Sequence, residues 1–136
     1  MTSESIDDDE GLLRRIPPWH EPVLYQTAET SENLLRPPSD AFSLEEGEEG
    51  LSFHLESSLR GAGEQLTYGC PEGVPGWAVA RITAGELRRL GLRLVRDGQP
   101  HHVQVLGLSD LSRSKKRRIQ REIAKASRYV VPPRAS

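Results

Sequence analysis

The chain has one cysteine, few aromatic residues and no long hydrophobic run, and each shortage narrows the class of protein. Cys70 is the only cysteine among 136 residues, so an intrachain disulfide framework is excluded. The sequence has no run of about eighteen apolar residues, which argues against a membrane-spanning helix. The start, "MTSESIDDDE", has neither the basic region nor the apolar region of a signal peptide. We therefore expect a cytoplasmic protein that does not interact with a membrane.

Patterns that bind metals or cofactors are missing as well. His101 and His102 are adjacent in a predicted strand, so they should point to opposite faces and not chelate one ion together. There is no H-E-x-x-H motif and no pair of C-x-x-C motifs. The stretch "GAGEQL" matches only the first half of a dinucleotide-binding loop. Cys70 would need a nearby histidine or helix start to become a nucleophile. We expect no metal, no cofactor and a free loop cysteine.

Length and composition favour one small domain. Only 35% of the residues are hydrophobic and 5% aromatic, so the core should be lean but sufficient. Residues 1–10 contain a single apolar residue, which predicts a disordered acidic tail. The single domain should span residues 11–131, with a short C-terminal tail at 132–136. Fifteen arginines against three lysines suggest a GC-rich bacterial genome.

The net charge of -2 hides a strong asymmetry. Residues 1–56 contain fourteen acidic and three basic residues, whereas residues 57–136 contain six acidic and fifteen basic ones. Such asymmetry is typical of an acidic segment beside a polyanion-binding surface. Alternatively, the two halves neutralise each other within the fold. Both interpretations stay open at this point.

Strand patterns dominate the first half of the chain. Prolines and apolar residues favour short strands at 12–16 and 23–26, and one helical turn is expected around 31–35. The stretch "LSFHLES" alternates apolar and polar residues from Leu51 to Leu55, which predicts a half-buried strand. The stretch "WAVARI" is almost entirely apolar, as in a central strand.

Helix and turn signals follow. The T-x-x-E spacing at 83–86 is a capping box, so a short helix should span 84–90 and end before Gly91. Residues 97–100, Asp-Gly-Gln-Pro, separate two β-rich runs and predict a hairpin with a four-residue loop.

The final element is predicted to be an amphipathic helix in "SRSKKRRIQREIAKASRYV". It should be capped by Ser109 or Ser112. Its apolar stripe recurs at spacings of four, three and four residues: Ile119, Ile123, Ala126 and Val130. The stretch "KKRRIQREIAKASRYVVPP" locally resembles the arginine-rich terminal helix of a small-subunit bacterial ribosomal protein, a likeness too short to imply a family or function for this chain.

Basic residues occupy most of the remaining circumference, and only Glu122 opposes them. Like charges at 113/117, 117/121 and 121/125 repel one another, whereas a helix that only faces water usually alternates both signs. This pattern favours an anionic partner, either nucleic acid or an acidic protein surface. A solvated face without a partner is the alternative. The candidate polyanion-binding residues are Arg113, Lys115, Lys116, Arg117, Arg118, Arg121, Lys125 and Arg128.

The expected fold class is α+β, with a mostly antiparallel sheet, one short helix and the long basic C-terminal helix packed on one sheet face. An open, barrel-like β fold with the same terminal helix is the alternative. The expected function is that of a small non-enzymatic binding or accessory protein. The alternative is a minimal transferase-type enzyme with a cleft formed by the early strands. Its residues would be Arg14 or Arg15 for phosphate, Tyr68 or Phe53 for stacking, and Glu56 as a carboxylate.

Overall fold

A computed structural model of the chain describes residues 6–24 and 35–133. The helices in these ranges are α1 (Glu56–Gly61), α2 (Ala84–Arg89) and α3 (Arg113–Ala126), and a 3-10 helix spans Ser39–Phe42. The strands are β1 (Gly11–Ile16), β2 (Val23–Leu24), β3 (Leu35–Arg36), β4 (Gly50–Leu55), β5 (Ala78–Thr83), β6 (Arg93–Arg96), β7 (His102–Leu106) and β8 (Arg128–Val131).

Six strands form one antiparallel sheet in the order β6-β7-β4-β1-β5-β8, and β2 pairs with β3 in a separate short ribbon. β1 lies inside the sheet, between β4 and β5. The sheet stays open, with β6 and β8 at its two edges, instead of closing into a barrel. This arrangement confirms the prediction of a small single α+β domain with a mostly antiparallel sheet.

Alternate residues of the strands build the main core on one face of the sheet. Leu12, Phe53 and Ile82 come from three different strands and are almost completely buried there. Ile123 of α3 and Phe42 of the 3-10 helix close over them. Each such side chain contributes about 1.5–3 kcal/mol when it is fully buried. The basic terminal helix is therefore held on this face by its apolar side, as predicted.

The opposite face carries a smaller apolar cluster. Leu13 of β1 and Val79 of β5 pack there against Leu59 of α1, and the glycine-rich loop (residues 62–77) covers them. α1 was not predicted, because "ESSLRG" is a single short segment with one apolar side chain and no side-chain N-cap bond. The burial of Leu59 in this cluster stabilises α1.

The local signals around α2 are confirmed. Oγ1 of Thr83 accepts a hydrogen bond from N of Glu86 at 3.3 Å, and Oε1 of Glu86 accepts one from N of Thr83 at 3.1 Å. Gly91 follows α2 with a φ of 85°, a conformation that glycine adopts without strain. The predicted hairpin is formed by β6 and β7. Its loop ends at His101 and is therefore one residue longer than expected.

Residues 6–10, which belong to the tail predicted to be disordered, pack on the domain. Ile6 is buried in the main core. The backbone N of Gly85 donates a hydrogen bond to the carbonyl O of Asp8 at 2.8 Å, which satisfies an amide in the first turn of α2. The composition of residues 1–10 could not indicate this contact, because the contact depends on the position of α2 in the fold. Residues 1–5 are outside the described residues.

The terminal helix ends earlier than predicted. α3 stops at Ala126, and the chain then runs as β8 along the edge of the sheet, paired with β5. Ser127 has extended backbone, and its Oγ donates a hydrogen bond to the carbonyl O of Ile123 at 2.7 Å. Val130 therefore lies in a strand and not on the apolar stripe of the helix, and Arg128 also leaves the helix.

Some predicted segments lie partly outside the described residues. The strand predicted at 23–26 is seen as β2 up to Leu24, and the helical turn around 31–35 is not described except for Leu35, which lies in β3. Residues 134–136 of the predicted C-terminal tail are likewise not described. Within the described ranges, every helix is too short or too polar to cross a bilayer.

Replacing Ile6 with alanine should lower the free energy of unfolding by about 2 kcal/mol, because it removes a buried side chain from the main core. Urea denaturation measures this change. The exposed Asp9 lies in the same segment, so Asp9→Ala is the matched control and should cost less than about 0.5 kcal/mol. Equal, small effects of the two variants would show that this segment does not stabilise the fold.

Candidate functional site

The position of α3 is fixed by its cap and by one buried face. Oγ of Ser112 accepts a hydrogen bond from N of Lys115 at 3.4 Å, so Ser112, and not Ser109, caps the helix. The rest of the circumference faces away from the sheet, because the buried residues share one side. The buried residues of α3 are Ile119, Gln120, Ile123 and Ala124.

The predicted polyanion-binding residues occupy the outward side of α3 and the strand that follows. Lys116 is half-buried, and the other seven of the eight are exposed. Arg128 lies on β8, so the structure separates it from the helical set. The cations that α3 itself brings together are Arg113, Lys115, Lys116, Arg117, Arg118, Arg121 and Lys125.

Among the described residues, these cations make almost no ion pairs. Nζ of Lys125 lies 3.8 Å from Oε1 of Glu122, and this is the one ion pair of α3 found within the described residues. The acidic first half makes its ion pairs elsewhere: Asp8 pairs with Arg88 of α2 at 2.6 Å, and Glu56 pairs with arginines of α1 and β5. In the part of the chain that the structure describes, the acidic half does not neutralise α3.

Three of the arginines form a row along α3. Arg113, Arg117 and Arg121 follow one another at intervals of four residues, about 6 Å of helix rise each. With Ser112 and Ser114 they line an open groove of about 560 Å³. Each pair of like charges at this spacing destabilises the helix by a few tenths of a kcal/mol. The row is thus unfavourable for the isolated fold and favourable for an anionic partner.

A second feature, the β1–β4 cleft, opens where two central strands separate. The strands are paired only at Leu12–Leu55 and Leu13–His54. Beyond these pairs, β1 continues along β5 and β4 continues along β7. The cleft of about 490 Å³ lies beside the separated halves, and its lining includes Arg14, Arg15, Trp19, His20, Ser52 and Trp77.

Arg14 is held at the core side of this cleft by backbone acceptors. Its Nε donates to the carbonyl O of Ala41 at 2.9 Å, and its Nη1 donates to that of Ser52 at 3.1 Å. The guanidinium carbon lies 5.8 Å from the ring centroid of Phe53. Burial lowers the pKa of Arg14 to about 10, and the negative charge of Glu48 offsets only part of this decrease. Arg14 remains a cation at neutral pH, and within the described residues it has no ion-pair partner.

Arg15 and two tryptophans form other parts of the wall. Nη1 of Arg15 donates to the carbonyl O of Gly69 in the glycine-rich loop. Trp19 is 71% exposed, and its ring centroid lies 6.3 Å from that of Trp77 in an edge-to-face arrangement. The ring centroid of His20 lies 6.2 Å from that of Trp19. Cations and aromatic rings therefore share one cavity.

The structure brings together only part of the predicted transferase site. Arg14 and Arg15 line the cleft, as the hypothesis requires. Phe53 is buried in the main core beneath Arg14, and Glu56 is engaged by arginines outside the cleft. Tyr68 belongs to the glycine-rich loop and packs against His54 and His101. The carboxylate and stacking ring assigned from the sequence are therefore not part of this cavity.

Trp19, His20 and Trp77 were not singled out from the sequence as site residues. They stand next to proline and glycine in "PPWH" and "PGW", outside any periodic pattern. The available signal was a pair of tryptophans in segments rich in proline and glycine, because aromatic side chains commonly line small-molecule sites.

Three histidines and Tyr68 of the glycine-rich loop form a cluster of rings. The ring centroid of His54 lies 5.4 Å from that of Tyr68 and 5.9 Å from that of His102. The ring centroids of Tyr68 and His101 are 5.1 Å apart. Burial lowers the pKa of His54 to about 4, and the positive charge of Arg15 acts in the same direction. His54 is therefore neutral at pH 7.

Separate partners hold the two adjacent histidines. Oδ2 of Asp97 lies 2.6 Å from Nδ1 of His102. Oγ of Ser58 and Nδ1 of His101 are hydrogen-bonded at 2.6 Å. Among the described residues, no group of three or more histidine, cysteine or acidic side chains has the geometry of a metal site.

Cys70 lies in the glycine-rich loop as a free thiol. Burial raises its pKa, and the nearby positive charge of Arg15 only partly offsets this effect. The protonated thiol therefore predominates at neutral pH, which is unfavourable for a nucleophile.

Comparisons of the chain with protein families, with curated proteins and with solved structures find no match. Function is therefore inferred from the residues and their geometry.

Replacing Ile123 with alanine should lower the free energy of unfolding by about 2–4 kcal/mol, because this fully buried side chain anchors α3 to the core. Replacing Arg117, Arg118 and Arg121 together with glutamine should change it by no more than about 1 kcal/mol, since helix propensity is kept and like charges are removed. Urea denaturation of both variants measures the difference. If the glutamine variant unfolds and the alanine variant does not, the arginines hold the helix in place.

Stability should fall as the pH is lowered from about 6.5 to about 4. The unfolded imidazole of His54 takes up a proton near pH 6.5, whereas the folded one does so only at a pKa of about 4. The unfolded state thus binds more protons than the folded state between these two pH values. The free energy of unfolding is therefore highest above about pH 6.5 and decreases as the pH falls towards about 4. We expect a loss of about 1–3 kcal/mol across the window.

The matched variant is His54→Gln, which has no titrating ring. Urea denaturation at several pH values should show a smaller acid-induced loss in this variant than in the unmodified protein. The same pH dependence in both proteins would assign the acid sensitivity to other groups.

Proposed function

We propose that this protein is a nucleic-acid-binding accessory protein and that the outward face of α3 is its contact surface. The observation that carries the proposal is the set of seven cations on α3, accompanied by a single ion pair among the described residues. A cation that has no internal partner keeps its full charge for a ligand. Lys and Arg on one face neutralise phosphates and release their counterions, which is the main source of sequence-independent affinity.

The choice of nucleic acid over an acidic protein rests on the row of arginines. Arg113, Arg117 and Arg121 extend over about 12 Å of helix, and duplex DNA carries a charge every 1.7 Å along its axis. Planar guanidinium groups bind phosphate oxygens in pairs, which favours arginine over lysine for this ligand. Two serines in the same groove add hydroxyl donors. An acidic protein surface is the other class of partner, and the experiment below separates the two.

Binding should be insensitive to base sequence. α3 packs on a sheet and a 3-10 helix, and α2, the neighbouring helix, has only six residues. This arrangement differs from a helix-turn-helix, in which a second helix positions a recognition helix in the major groove. Contacts to phosphate position a protein but carry no sequence information directly.

Replacing Arg117, Arg118 and Arg121 with glutamine should weaken binding to generic duplex DNA or RNA. Each neutralised phosphate contributes about -0.9 to the slope of log K against log salt on duplex DNA, so the slope should become shallower by about 2 to 3. Fluorescence anisotropy with labelled duplexes over a range of salt concentrations measures both effects.

The matched control removes three charges elsewhere, at the exposed positions Arg60, Arg89 and Arg93. This variant has the same net charge as the α3 variant and should keep most of the salt dependence. Equal losses in both variants would mean that binding follows net charge and not α3. Absence of salt-dependent nucleic-acid binding by the unmodified protein would overturn the proposal in favour of a protein partner.

A further inference from the structure

The β1–β4 cleft has a chemistry unlike that of α3. Its lining combines Arg14 and Arg15, Trp19 and Trp77, and three carboxylates. From this combination we propose that the cleft binds a small molecule with one anionic group and one planar ring, the chemical class of a mononucleotide. The carboxylates are those of Asp40, Glu45 and Glu48.

The anion side of the site rests on an arginine at a core-facing position. Alternate residues of a strand share a face, so Arg14 lies on the same face of β1 as Leu12 and Ile16, both of which are buried. Burying a cation without a carboxylate partner is unfavourable, and a third apolar residue would avoid that cost. Two carbonyl groups and the ring of Phe53 compensate only in part. The charges of Glu48 and Glu45 also act on Arg14, but burial still lowers its pKa, so a bound anion would add to their counter-charge.

Both guanidinium groups are positioned before any ligand arrives. Arg14, on the core face of β1, is fixed by hydrogen bonds to two backbone carbonyls, and Arg15, on the opposite face, is fixed by one. The two arginines therefore line the cleft from opposite sides of the sheet. A guanidinium has five N–H donors, so each arginine retains donors that have no partner among the described residues. Such preoriented pairs of N–H groups match the oxygens of a phosphate.

The ring side of the site rests on the indoles. Trp19 is 71% exposed at the cleft, although an indole is among the most costly side chains to leave in water. Trp77 meets it edge to face at 6.3 Å, which orients the exposed ring. A flat heterocycle can stack on such a ring without any particular pattern of hydrogen bonds.

The carboxylates and the size of the cleft limit the ligand to a small one. Asp40, Glu45 and Glu48 can accept hydrogen bonds from hydroxyl groups, and their negative charges disfavour a ligand more strongly the more phosphates it carries. A volume of about 490 Å³ is within the usual range for sites that enclose small molecules. One phosphate, a hydroxylated linker and one ring therefore suit the cleft better than a polymer does.

Intrinsic tryptophan fluorescence tests the proposal directly, because Trp19 and Trp77 are the only tryptophans of the chain and both line the cleft. Titration with adenosine monophosphate should quench or shift this emission to saturation at concentrations up to about 1 mM. Adenosine and inorganic phosphate, titrated separately, should each bind at least about tenfold more weakly, since each offers only half of the contacts.

Two variants locate the site. Arg15→Gln removes a cation of the cleft and should weaken adenosine monophosphate binding by about tenfold. Trp19→Ala changes an exposed position, so the fold should be kept, and the emission of Trp77 should then respond far less to the nucleotide. Circular dichroism confirms that each variant is folded. If Arg15→Gln does not fold, Trp19→Ala alone decides the result.

The glutamine variant at Arg117, Arg118 and Arg121 separates this proposal from the function proposed for α3. It should bind adenosine monophosphate as tightly as the unmodified protein does, although its binding to duplexes is weakened. A saturable response that is lost in this variant and kept in the cleft variants would overturn the cleft proposal, and so would the lack of any saturable response. Neither outcome would bear on the duplex-binding measurement.

Discussion

The pairing of β1 inside the sheet is the constraint on which the other features depend. β1 joins β5 along its whole length but joins β4 only at its start. Because successive side chains of β1 point to opposite faces of the sheet, Leu12 and Ile16 lie in the main core and Leu13 lies in the smaller cluster. The main core on one side seats α3, and the smaller cluster on the other seats α1 and the glycine-rich loop. Next to the early separation from β4 lies the β1–β4 cleft, whose lining includes Arg14 and Arg15.

The arginines of this chain therefore fall into groups with different surroundings. Arg81 and Arg88 have carboxylate partners and serve the fold. Arg14 and Arg15 are tied to backbone carbonyls within the cleft. Those of α3 lie on an exposed surface, where their mutual repulsion is unfavourable for the helix. This distribution underlies the two anion-binding surfaces that we propose, an extended one on the helix and a confined one in the sheet.

Local signals allowed much of the fold to be predicted. The T-x-x-E spacing located the start of α2, the alternation from Leu51 to Leu55 located β4, and the apolar spacing from Ile119 located α3. These succeeded because hydrogen bonding at a helix start and burial on one face act between residues close in sequence. α1 and β8 were missed because each is selected by distant partners: Leu59 by the smaller cluster, and residues 128–131 by pairing with β5.

The sequence by itself determined the α+β class, the charge asymmetry and the identity of the basic helix, since periodicity and composition are local properties of the chain. Only the tertiary structure decided which charges meet. It placed Asp8 on Arg88 and away from α3, moved Glu56 out of the predicted cleft, and set Trp19 beside Trp77. Trp19 and Trp77 are far apart along the chain, and their encounter depends on strand order and register. Neither strand order nor register is encoded in any short window of residues.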